Sequence, residues 1–238
     1  SSFNRLNTPE KVSRAFKTTC AFWQNKAADI AVTSHDADYN NWFQWVSIQP
    51  FLRKIFGCSY LPDFDYGRGG RGWRDLWQDC LSLILNDPQD VRDTLINNFA
   101  GVRIDGSNAT IIGQRPGEFI ADRNNISRVW MDHGLWPLIT TLLYIHQTGD
   151  TKILLEQTSY FKDRQLSRSQ EIDDNWSPEQ GNVLRTSDGK PYSGTILEHI
   201  LIENLVQFFN VGPHNHTALE GADWNDGLDM AEHNGESV

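Results

Sequence analysis

The residues with the most chemical content lie near the end of the 238-residue chain, in Leu219-Glu220-Gly221-Ala222-Asp223-Trp224-Asn225-Asp226-Gly227-Leu228-Asp229. Asp223, Asp226 and Asp229 recur at a spacing of three, with an indole between the first two and a glycine after the second. A core segment does not carry three such carboxylates, because burying unpaired charge is expensive. A plain surface loop has no need of the tryptophan. Carboxylates beside an indole face suit a hydroxyl-rich ring, whose oxygens the acids bind or protonate while the aromatic stacks. A general acid needs a raised pKa, and Trp224 offers the apolar wall that raises one. This reading gives proton donation to Asp226 and a supporting role to Asp223. A blander one stands beside it, in which Asp223 caps a helix and gains from its dipole. The calcium-loop pattern fails, since glycine falls fifth instead of sixth and Asn234 occupies the position of the bidentate glutamate.

A second stretch, Arg68-Gly69-Gly70-Arg71-Gly72-Trp73-Arg74-Asp75, combines glycines with arginines. Backbone N–H groups and guanidinium forks can cradle an anion. No Gly-Lys-Ser/Thr follows, so it is not a nucleotide-binding P-loop. A structural ion-pair network accounts for the same residues equally well. His199, His214 and His216 lack the further ligands that would build a metal site, and none is predicted. Cys20, Cys58 and Cys80 are widely spaced, without a CxxC pair, and read as small buried apolar residues. Asn108-Ala109-Thr110, Asn125-Ile126-Ser127 and Asn215-His216-Thr217 match the short glycosylation acceptor pattern, which decides nothing by itself.

These stretches need a scaffold, and the pattern supplies a mainly helical one. Thr8-Pro9-Glu10 is a helix start. A second helix is predicted from near Asp38 through Leu52, with Pro50 bending it or opening a new turn. Further helices are predicted over about Asp75–Leu85, Asp90–Phe99, Leu135–Gln147, Thr151–Lys162 and Thr195–Phe209, paired by short turns. Between them, Gly101 to Asn125 reads as a long loop carrying a small hairpin from Ala109–Ile112 and Phe119–Ile120. Lys162 to Tyr192 reads as a surface loop or lid. A formal charge of -10 argues against nucleic acid, and no apolar run reaches the length of a membrane helix.

The pieces Gly72–Asp79, Asp105–Thr110, Trp130–Trp136 and Gly221–Gly227 resemble glycoside hydrolase family 94, the inverting β-glucoside phosphorylases, over about Tyr60 to the last residue. The wording lies nearest to 1,2-β-oligoglucan phosphorylase. The resemblance implies an (α/α)6 barrel, with residues 1–238 part of a single catalytic domain as an incomplete N-terminal portion. The family's N-terminal β-sandwich and later barrel helices are missing from that portion.

By motif, Asp226 takes the place of the general acid, Trp224 that of the aromatic beside the sugar, and Asp75 that of an acid binding its hydroxyls. Asp223 supports them, and Arg68 and Arg74 are candidate substrate contacts. The family's arginine lies six positions before Asp75, where this chain has Gly69, so Arg68 or Arg71 takes that role. The implied reaction is reversible phosphorolysis of a β-gluco-oligosaccharide to α-glucose 1-phosphate and a shortened acceptor. It needs no cofactor, because inorganic phosphate is the co-substrate and nucleophile, and no second catalytic carboxylate. The alternatives are an inverting hydrolase on the same barrel and a non-catalytic carbohydrate-binding segment. The family's phosphate ligands come from later sequence, so these residues alone are expected to be inactive. A cytoplasmic homodimer, without membrane or nucleic-acid partners, completes the expectation.

Overall fold

The computed structural model describes residues 5–56, 71–112, 117–120, 129–221 and 235–236. Its contacts divide the chain into two compact units, Ser1–Ile55 and Phe56–Val238.

The first unit is built on two 20-residue helices, α1 (Pro9–Ala28) and α2 (Ala37–Phe56), the second crossing the boundary by one residue. Thr8 caps α1 as its side chain accepts from the Lys11 amide at 3.3 Å, and Pro9 follows in the first turn. Asp36 opens α2 in the same way, its Oδ1 accepting from the amides of Asp38 and Tyr39 at 2.9 and 3.1 Å. Pro50 lies inside α2, which continues to Phe56. Aromatic residues stay exposed on both helices, among them Phe16, Trp42 and Trp45.

The second unit holds α3 (Trp73–Leu83), α4 (Pro88–Phe99), α5 (Leu135–Thr148) and α6 (Ile196–Phe209). Helical spacing selects their buried faces: Trp73, Leu76, Trp77, Cys80 and Leu83 on α3, and Val91, Leu95 and Phe99 on α4. The Trp77 and Phe99 rings meet edge to face at 4.9 Å. α5 ends on Gly149, whose φ of 74° closes the helix in the left-handed conformation. Thr195 caps α6 by accepting from the Glu198 amide at 3.1 Å.

Among the described residues, three small antiparallel sheets tie the loops. β2 (Ile111–Ile112) pairs with β3 (Phe119–Ile120) in the register Ile111 to Ile120, which is the expected hairpin. β1 (Arg71–Gly72) adds to the other edge of β2, so the end of the Gly-rich stretch is a strand leading directly into α3. α3 therefore starts at Trp73, two residues before the sequence pattern suggested.

One predicted element is absent. Instead of a helix over Thr151–Lys162, a 3₁₀ turn (Thr151–Leu155) leads into β4 (Gln157–Ser159), paired with β7 (Ser193–Thr195). Strand pairing with a remote segment outweighs the local helical spacing there, and it allows both Tyr160 and Phe161 to be buried. Residues 162–192 lie mostly at the surface, as expected of a surface loop, and are anchored at a few points. β5 (Gln165–Leu166) pairs with β6 (Glu171–Ile172), and Asp163 is buried in an ion pair with Arg103. The chain is mainly helical, as expected. Among the described residues no helix is long and apolar enough to cross a membrane.

Candidate active site

Asp75 and Arg74 are the predicted site residues that lie among the described residues. Asp75 stands in the first turn of α3, where the exposed amides and the helix dipole favour a carboxylate. Gly72 caps that helix without a side chain, and a Cβ built on it would come within 2.2 Å of Asp75 Oδ2. The glycine is thus a steric condition for the Asp75 rotamer. Its φ of -62° suits any residue.

Arg74, the next predicted contact, is paired with Asp132. Its Nη2 and Nε lie 2.8 Å from Asp132 Oδ1 and Oδ2, and its guanidinium sits 5.0 Å from the Trp130 ring centre. Asp132 also accepts from Trp136 Nε1 at 3.0 Å. For Arg74 alone these contacts are those of an ion pair, and residues 68–70 of the Arg-Gly stretch lie outside the described residues. Arg68, Asp223, Trp224 and Asp226 lie outside the described residues.

The structure adds a polar cluster that sequence reasoning did not single out. Arg103 holds the loop before β2: its Nε and Nη2 reach Asp163 at 2.9 and 2.7 Å, and its Nη1 donates to the Asn108 carbonyl at 2.6 Å. Asn108 is thereby fixed at the centre. His133 Nδ1 is 2.9 Å from Asn108 Oδ1, which assigns the proton to that nitrogen, and Asn108 Nδ2 donates to Glu203 Oε1 at 3.0 Å. His133 also stacks on Trp130, and its carbonyl accepts from Trp73 Nε1 at 3.1 Å.

Burial dominates the titration of both groups. It lowers the His133 pKa to about 3, with Asp132 opposing and Arg74 reinforcing the shift, so the imidazole is neutral. It pushes the Glu203 carboxyl well above its ordinary range, against the Asn108 hydrogen bond and the charge of Arg168. Glu203 is 1% exposed, which favours the neutral acid.

A second part of the cluster holds the entry to the Asp223–Asp226 stretch. Arg168 grips Glu220 with both arms, Nε to Oε1 at 2.7 Å and Nη2 to Oε2 at 2.5 Å. Its own amide donates to Asp105 Oδ2 at 2.7 Å. Ser167, Arg168, Ser169 and Glu220 all have φ between 51° and 68°, a left-handed conformation that disfavours side chains other than glycine. Such strain persists where surrounding contacts over-determine it, and it concentrates at functional sites. Trp130 bridges to Glu220, and the Gly221 amide donates to the Val129 carbonyl at 3.1 Å.

Glu203 had one legible signal, a lone acid amid the apolar Ile200-Leu201-Ile202 and Leu205-Val206 of α6. Asn108 and His133 belong to stretches already quoted, but nothing local marks them as partners. His199 is different. Its two ring nitrogens face the carbonyls of Thr195 and Ser159 at 2.8 and 3.2 Å, and its ring stacks on Tyr160 at 3.9 Å, a packing role. His214 pairs with Glu236 at 2.7 Å.

Two comparisons bear on identity. A profile of the glycosyl hydrolase 94 superfamily catalytic domain matches residues 22–170, more than half of the chain. The cyclic beta-(1,2)-glucan synthase NdvB of Rhizobium meliloti (strain 1021) is 24% identical over 227 residues. That match covers 94% of this chain and 7% of the relative, so the chain spans only a small part of that protein's length. Asp75 and the Asn108–His133 pair lie within the profile match, and with them the chain belongs to the glycosyl hydrolase 94 superfamily.

Proposed function

We propose that these residues are part of the catalytic domain of an inverting β-glucoside phosphorylase built on an (α/α)6 barrel. The observation that carries this reading is the Asp75 carboxylate, presented at the start of α3 against Gly72, within the residues matched to the family. There it is suited to accept hydrogen bonds from sugar hydroxyls. Asp226, walled by Trp224 and supported by Asp223, gives its proton to the glycosidic oxygen. Inorganic phosphate attacks the anomeric carbon from the opposite face, the carbon–oxygen bond breaks, and α-glucose 1-phosphate and a shortened acceptor leave. Asp226 ends as a carboxylate and is recharged from solvent. Phosphate is already an anionic nucleophile, so neither a second carboxylate nor a resident cofactor is needed. The arginine assigned to the sugar is Arg68 or Arg71, and Arg74, which is engaged with Asp132, supports the site from beside it.

The test uses the whole polypeptide that contains this chain. Incubated with a β-gluco-oligosaccharide, it should form α-glucose 1-phosphate only when phosphate is present. Asp226→Asn should lower that rate by roughly 10²–10⁴-fold, the contribution of a positioned general acid. Sugar release without phosphate would instead identify a hydrolase, and wild-type turnover in Asp226→Asn would remove the acid assignment.

The named relative favours one linkage. A cyclic beta-(1,2)-glucan synthase as a match supports β-1,2-linked glucan as the substrate class of this chain. A homodimeric assembly is part of the same proposal.

A further inference from the structure

One small cavity collects most of the polar cluster's unmet hydrogen-bonding capacity. Its walls include Asn108, Trp130, Gly134, Arg168, Glu203 and Gln207. Four of these carry a buried polar atom without a partner: Trp130 Nε1, Arg168 Nη1, Glu203 Oε2 and Gln207 Nε2. Buried polar atoms in folded proteins are nearly always paired, with protein or with ordered water. Four orphans on one cavity are therefore not a random scatter.

Each orphan belongs to a side chain whose other atoms are fully engaged. Glu203 Oε1 accepts from Asn108, Arg168 uses Nε and Nη2 on Glu220 and Gln207, and Gln207 Oε1 accepts from Arg168 at 2.9 Å. Trp130 stacks on the His133 ring, and the Arg74 guanidinium lies 5.0 Å from its ring centre. The walls cannot swing to pair with one another without breaking these contacts. Gly134 keeps the space tight, since a Cβ there would come within 3.0 Å of Glu203.

The donor set defines what fits. Three N–H groups require an acceptor, and the fourth group is a carboxyl oxygen that can give or take one hydrogen bond. A metal cation would meet three donors and is disfavoured. An oxygen bearing hydrogen has two lone pairs, so it can accept from two of the N–H groups and donate to Glu203 Oε2, and the cavity is about the size of one water molecule.

We propose that this cavity is a binding site for a single hydroxyl oxygen, held by Glu203 and by two of the N–H groups that Arg168, Gln207 and Trp130 present. Its source is either solvent water or one hydroxyl of a carbohydrate. Such an oxygen would link α6, the 130–134 turn and the strained 167–169 turn at one point. The site is independent of the assignment of Asp226 and of phosphorolysis.

A high-resolution crystal structure of the whole polypeptide, determined without sugar and again with glucose soaked in, tests it. The expected result is one oxygen within about 2.6–3.2 Å of at least three of the four atoms. Density in the sugar-free crystal identifies solvent as the source, and density continuous with a glucose ring in the soaked crystal identifies carbohydrate. A cavity empty in both, or closed by direct pairing of its walls, overturns the site. Gln207→Leu adds a solution check: displacing the oxygen should lower the thermal midpoint by several degrees. An unchanged midpoint with no oxygen in the wild-type crystal would be a second refutation.

Discussion

Glu203 and His133 are connected through Asn108 yet impose opposite pH dependences on stability. His133 titrates near 6.5 when unfolded and about 3 when folded, so its stabilisation is present above pH 6.5 and is lost as pH falls towards 3. Glu203 is raised above 4.5, so the folded protein keeps a proton that the unfolded chain releases. Stability from this group therefore falls as pH rises from 4.5 towards its folded pKa. Glu203→Gln removes that titration and leaves His133 common to both proteins. Chemical denaturation of wild type and variant from pH 4.5 upward should diverge in the variant's favour, by up to about 1.4 kcal/mol per pH unit. Parallel curves would mean that Glu203 folds as a carboxylate. The acid was visible in the sequence as an interruption of an apolar helix, but its burial was not. A lone glutamate reads the same whether it faces solvent or a neutral core.

The start of α3 places Asp75 through the geometry of one element. Gly72→Ala should leave the backbone in place, since its φ is ordinary, and should push the Asp75 carboxylate off its position. Affinity for the oligosaccharide should weaken while the fold persists, with a stability change of about 1 kcal/mol or less. If the effect runs through Asp75, Gly72→Ala and Asp75→Ala will be non-additive in a double-mutant cycle of KM. Full additivity would separate the two residues. The same element shows where local pattern was sufficient. The apolar face of α3 was legible because helical spacing survives in the sequence. Its first turn was not, because Arg71–Gly72 is committed to β2, a partner some forty residues away.

At the scale of the molecule, membership in the glycosyl hydrolase 94 superfamily leaves the acceptor linkage to be measured. Sophorose, laminaribiose and cellobiose present β-1,2, β-1,3 and β-1,4 linkages to the same site. With phosphate and the whole polypeptide, sophorose should give the highest kcat/KM for α-glucose 1-phosphate formation, by tenfold or more, which is about 1.4 kcal/mol of discrimination. Preference for cellobiose would overturn the β-1,2 reading and leave the family assignment intact.

The sequence by itself determined the helical class, most helix positions and the β2–β3 hairpin, because amphipathic spacing, caps and turn residues act over a few neighbours. It also carried the motifs that mark the family, since those are local strings. Tertiary structure alone decided that Thr151–Lys162 is a 3₁₀ turn and a strand. It alone brought Asn108, His133, Arg168 and Glu203 together from four separate stretches. The physical reason is common to both outcomes. Strand pairing and the pairing of buried polar groups are settled by partners distant in the chain, and no window of adjacent residues contains both members.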